Sequence, residues 1–246
     1  MLLESFAWGF IAASSLIIGA VLALRIRISV RTIGLIMAFG SGVLISAVAF
    51  DLVAEAIETV PPGSAIWVAV GLLAGCFTFF IGDLAITRIG GGDRKSADGV
   101  EQPNSALGIV LGTVLDGIPE SIVIGLTIVT GGAVGIAYLV AVFISNLPEA
   151  IASTTGLVAS GWEPRRTLGL WVTVALVSAA ASVVGAAVFD TAPPEPLAFV
   201  LAFAGGAVLT MLADTMMPEA YEHAGEVTGV VVTLGFGLAL GLHVIQ

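Results

Sequence analysis

Two near-copies of one short motif lie in the middle of two long apolar stretches: Asp116-Gly117-Ile118-Pro119-Glu120-Ser121 and Ser145-Asn146-Leu147-Pro148-Glu149-Ala150. A carboxylate at the centre of a bilayer costs about 3 kcal/mol or more, so by default it marks a place where an ion or proton is handled. The proline before each glutamate adds to this. It has no N–H to give the carbonyl four residues back, which frees the Leu115 and Ile144 oxygens at the depth of the carboxylates. Asp116 and Glu120 share one helical face, as do Ser145 and Glu149, with Asn146 on the flank of the second. Together these residues offer carboxylates, an amide and a hydroxyl, an oxygen-rich set suited to a divalent cation. The plainer reading of Asp116 and Glu120 is a buried polar pair that only kinks its helix; Ser145 and Asn146 read equally as ligands or as helix-packing glue. Ionised together without a cation, the carboxylates repel one another, so an empty site holds at least one proton and metal entry releases it.

Two further acidic groups flank this centre. Asp51, Glu55 and Glu58 form a stripe at the end of the second apolar segment, either a solvated helix end or an electrostatic funnel for cations at an entrance. Asp214 near the end of the seventh segment, followed by Glu219, Glu222 and His223 with Glu226 beyond them, reads as a metal exit or as a wet, charged loop. His243, near the end of the chain, reads as structural. The single cysteine, Cys76, excludes an internal disulfide and any Cys-x-x-Cys motif.

The elements that must position these residues follow from composition. Hydrophobic residues make up 58% of the 246 and charged ones 11%, a balance that marks a polytopic membrane protein. The expected fold is all-α, with eight transmembrane helices near Phe6 to Leu24, Ile33 to Ala54, Ile66 to Ile86, Ala106 to Thr130, Val134 to Ala159, Leu168 to Phe189, Leu197 to Met217 and Val227 to Ile245. Each is long enough to cross the hydrocarbon core. Glu4 precedes the first segment and no basic residue does, which argues against a cleaved signal peptide. All the basic residues fall in odd-numbered connections: Arg25, Arg27 and Arg31; Arg88, Arg94 and Lys95; Arg165 and Arg166. The positive-inside rule then puts those connections in the cytoplasm and both termini outside. A single membrane domain over 1–246 is expected, with 87–105 as a cytoplasmic loop that is either a tether or a divider between moving halves. The short Gly131-Gly132 connection makes the fourth and fifth segments an antiparallel hairpin whose motifs face each other at one depth. A net charge of −10 disfavours nucleic acid and suits cations.

The paired Pro-Glu motifs, together with Phe39-Gly40-Ser41-Gly42-Val43, the Asp51 to Ala56 segment and Asp214-Thr215-Met216-Met217-Pro218-Glu219-Ala220, resemble the ZIP family of divalent metal transporters over nearly the whole chain. The resemblance implies a multi-pass carrier in the plasma membrane (a cell's inner membrane), moving zinc, manganese or iron into the cytoplasm by alternating access. It further implies that the first, fourth, fifth and sixth helices slide as a bundle against the other four, and that the protein forms a homodimer. The metal is cargo, no resident cofactor is expected, and the partners are metal ions and the bilayer. Departures from the family pattern lie in the ligands. Asp116 and Gly117 stand where members usually carry His-Asn, Ser145 replaces a leading histidine, Asn146 stands where an acidic residue is common, and Thr215 replaces a glutamate. The alternative is a transport-inactive homologue acting as a metal sensor or scaffold. A membrane enzyme is not expected: the chain has no H-E-x-x-H and no serine with a membrane histidine partner.

Overall fold

The structure, a computed structural model, describes residues 1–88, 105–131 and 135–245, with backbone alone at 105–110, 130 and 131. The regular elements among them are helical: α1 (Leu2–Arg25), α2 (Val30–Ala47), α3 (Glu55–Thr59), α4 (Ile66–Ile86), α5 (Ser105–Gly131), α6 (Ile136–Ala159), α7 (Pro164–Phe189), α8 (Pro194–Met211), α9 (Met217–Ala224) and α10 (Thr228–Ile245). A π-helical turn, Val48–Ala54, joins α2 to α3, and a second, Leu212–Met216, joins α8 to α9. Helix starts carry the expected signals. The Ser29 hydroxyl accepts from the Thr32 N–H at 3.1 Å, and Pro164 and Pro194 occupy first-turn positions where no N–H is needed.

Seven continuous runs among the described residues are long and apolar enough to cross a membrane, and the protein is a multi-pass helical membrane protein. Leu73, Phe77, Phe80 and Ile81 of α4 and Leu234 and Leu238 of α10 point outward, an apolar surface suited to lipid. Where eight separate segments are expected from the sequence, the last two form one run, Pro194–Ile245, of 52 residues. Laid straight it would extend about 78 Å, far beyond a hydrocarbon core of about 30 Å. It does not lie straight. Gly205 packs beside Val48 and Leu52, Gly40 beside Met216, and Gly34 beside Ala220 and Ala224, so α8 and α9 run antiparallel to α2. By contrast Gly42 packs on Val232, and Asp51 meets His243, so α10 runs parallel to α2. The reversal falls at Gly225, whose φ of 71° is open to glycine and strained for other residues.

The helices form two bundles. α1, α5, α6 and α7 pack mainly on one another, and α2, α4, α8 and α10 make up the second group through the pairs α2 with α10 and α4 with α8. Glycines set these contacts by bringing backbones together. A Cβ on Gly42 would strike the Val232 carbonyl and one on Gly235 the Phe39 carbonyl; the same exchange joins Gly75 to Phe203 and Gly206 to Leu72. In the first bundle, Gly125 meets Ser182 and Gly185 meets Ile122, locking α5 to α7. Residues 89–104, most of the expected loop after the third segment, and 132–134 of the expected hairpin turn lie outside the described residues.

Candidate functional site

Both Pro-Glu motifs sit inside unbroken helices, α5 through Pro119 and α6 through Pro148. Asp116, Glu120, Ser145, Asn146 and Glu149 are all buried, none more than 8% exposed. The surroundings of Asp116 and Ser145 place those two at the seam between the two bundles. On α5, Leu115, Asp116 and Pro119 line a tight void with Phe79 of α4 and Ala207, Val208 and Met211 of α8. The tip of Leu115 fills the space left by the missing side chain of Gly82. Gly117 faces the other way, toward Ser178 of α7 in its own bundle.

On α6, the second motif meets α2. The position a Cβ of Gly40 would take is 3.4 Å from Ser145 Cα, 3.6 Å from the Ile144 carbonyl oxygen and 3.1 Å from the end of Met216. The carbonyl freed by Pro148 therefore borders the seam opposite Gly40. The Ser145 hydroxyl donates to the Val142 carbonyl at 3.0 Å, leaving its oxygen lone pairs as acceptors. The Leu147 carbonyl and Ala150 turn toward Gly19 of α1, inside the first bundle. The surface across the seam is small or apolar: Gly40, Phe79, Ala207, Val208, Met211 and Met216. Although α5 and α6 follow one another, each has its main partners elsewhere, α5 on α7 and α6 on α1 and α2. Among the described residues no three His, Cys, Asp or Glu side chains converge into a ready-made metal cage.

The acidic groups at the two ends divide further. Asp51 is half-buried and bonded to His243 (Oδ1 to Nδ1, 2.8 Å), while Glu55 and Glu58 stay exposed. The π turn between them has wider i to i+5 pairing, so the four-residue spacing does not keep Asp51 and Glu55 in α-helical register. At the other end Glu219 and His223, one α-helical turn apart, bond at 2.9 Å and are largely enclosed, with His223 packed on Gly34. Asp214 lies elsewhere, in a groove with Cys76, Phe77, Phe80, Leu209, Thr210 and Ala213, and Glu222 is exposed. Pro218 explains the second π turn, because it cannot donate to the Asp214 carbonyl and the helix widens before it.

Two features escape the sequence. The Asp51–His243 bond joins residues 192 apart and leaves no local signal. Tyr138, wholly enclosed near the start of α6, reads in the sequence as one more apolar residue.

The chain matches no protein-family model. It is 26% identical over 209 residues, 84% of its length, to the Arabidopsis thaliana protein named "Putative zinc transporter". The match spans 33% of that relative, so the chain corresponds to about a third of its length. This chain is thus a multi-pass helical membrane protein similar over most of its length to a plant protein carrying a zinc-transporter name.

Proposed function

We propose that this protein is a ZIP-like carrier that moves divalent metal cations, zinc and also manganese or iron, into the cytoplasm by alternating access. The observation that carries the reading is the burial of both Pro-Glu motifs, with Asp116 and Ser145 at a seam whose opposite wall is glycine or apolar. A cation held by Asp116, Glu120, Ser145, Asn146 and Glu149 would travel with the α1, α5, α6, α7 bundle as it slides against the other helices. The glycine contacts inside each bundle make each one rigid, which favours sliding between them over deformation within them. The likeness to a protein named as a zinc transporter supports the same cargo.

In this reading the chain is one transporter domain crossing the plasma membrane (the cell's inner membrane) eight times, with both termini outside. The fold-back at Gly225 and the one-sided basic residues support the count. Asp51, Glu55 and Glu58 guard the entrance, while Asp214, Glu219, Glu222 and His223 lie at the exit. The metal is cargo, the protein is not an enzyme, and two copies assemble as a homodimer.

Metal uptake by proteoliposomes tests the assignment. Glu120→Gln and Glu149→Gln, each keeping shape while removing a charge, should each nearly abolish zinc flux in protein that still folds. Full flux in both variants would remove these residues from the site. Zinc binding without flux in the wild-type protein would identify a sensor or scaffold instead.

A further inference from the structure

Tyr138 stands on the face of α6 that carries Ser145 and Glu149, since offsets of seven and eleven residues are two and three helical turns. At 1.5 Å per residue it lies about 16 Å along the helix from Glu149, near the end where α6 begins. Its side chain is 1% exposed, and its hydroxyl has no hydrogen-bond partner among the described residues. Buried hydroxyls are nearly always paired, and phenylalanine would fill the same space without stranding a polar atom. The hydroxyl also lies within electrostatic reach of both Glu120 and Asp51. Tyr138 is thus near enough to sense both the Asp51–His243 pair at the ends of α2 and α10 and a carboxylate of α5. It belongs to the same buried core as Val48 and Val142, and its ring is enclosed.

We propose that Tyr138 is the gate residue between the Asp51–His243 mouth and the Glu120 and Glu149 carboxylates. Its ring closes the path in this conformation. Its hydroxyl oxygen finds a partner only when the path opens, in the water shell of a passing divalent cation. This rests on the transport reading above, and the test is chosen to separate the two.

In a Cys76→Ser background, Val142→Cys places a thiol one turn beyond Tyr138 on the same face. In sealed vesicles, with an impermeant maleimide on the side where α6 begins, that thiol should be protected while Tyr138 is present. Tyr138→Ala should speed its labelling about ten-fold, a shift from a mostly closed to a mostly open path. Tyr138→Leu, which fills more of the core and so protects folding, should give an intermediate rate. Tyr138→Phe should leave labelling unchanged and lower zinc uptake about five-fold, the scale of one lost hydrogen bond. Equal labelling with Tyr, Leu and Ala at this position would overturn the gate. Unchanged uptake in Tyr138→Phe would overturn the hydroxyl's part in it. Faster labelling in Tyr138→Ala, in a protein that carries no metal, would uphold the gate and reject the transport reading.

Discussion

The carboxylate of Asp51 and the imidazole of His243 meet at 2.8 Å, pinning the end of α10 to the π turn of α2, with Phe50 against the His243 ring at a centroid distance of 5.4 Å. Asp51 is therefore committed to a protein partner, while Glu55 and Glu58 remain free to attract cations from solution.

That division predicts different effects on capture. The double change Glu55→Gln with Glu58→Gln should raise the metal concentration for half-maximal uptake a few-fold and flatten its dependence on ionic strength, as the loss of a steering field would. Asp51→Asn should change the salt dependence much less. Uptake measured at several ionic strengths distinguishes them; equal behaviour of the two variants would refute the division.

Glycines at the seam and glycines within a bundle should respond differently to the same change. Gly42→Ala drives a methyl into the Val232 carbonyl, and backbone cannot yield as a side chain does, so a loss of about 3 kcal/mol is expected. Gly40→Ala meets the flexible end of Met216 at 3.1 Å, with Ser145 Cα and the Ile144 carbonyl at ordinary contact distances of 3.4 and 3.6 Å, so its stability should stay within about 1 kcal/mol of wild type. Because Gly40 faces the other bundle, its added methyl should slow flux while the melting temperature in detergent holds. Thermal melts beside uptake rates give both readings.

Selectivity should follow the donor atoms. Imidazole nitrogen favours zinc, copper and nickel, whereas carboxylate and hydroxyl oxygens are comparatively better for manganese. Asp116 and Ser145 should therefore narrow the advantage of zinc without reversing the usual affinity order. Asp116→His should raise the ratio of zinc to manganese uptake, as read by competition between the two ions in proteoliposomes. A ratio that is unchanged or lower would show that Asp116 does not touch the metal.

Helix positions were legible because they depend on runs of apolar residues, and the described residues of the eight segments read from the sequence fall almost wholly on helices. The sequence breaks the last two segments between Met217 and Val227, and the chain reverses within that interval, at Gly225, after the short helix α9. The π turns divide by cause: Pro218 announces the second, whereas Val48–Ala54 precedes no nearby proline and has no counterpart signal. The helix partners of the two motifs were not legible. The short Gly131-Gly132 connection in the sequence points to α5 against α6, but glycines determine which helices approach closely. Gly125 with Gly185 draws α5 to α7, and Gly19 and Gly40 draw α6 to α1 and α2. Such pairings are long-range and carry no local periodicity.

Phe39 and Gly42 are to Val232, Gly235 and Phe236 what Phe203 and Gly206 are to Leu72, Gly75 and Cys76, and in each case a π turn begins six residues after the first-named helix's glycine. Since α8 runs opposite to α2, one of these units is the other turned upside down, an inverted repeat. A scaffold so built has no intrinsic top or bottom and presents equivalent walls toward both aqueous phases. Within this half of the molecule the two poles differ where the units diverge: the aromatic cluster of Phe50, Phe236 and His243 around Asp51 at one, and Pro218 with the Glu219–His223 pair at the other.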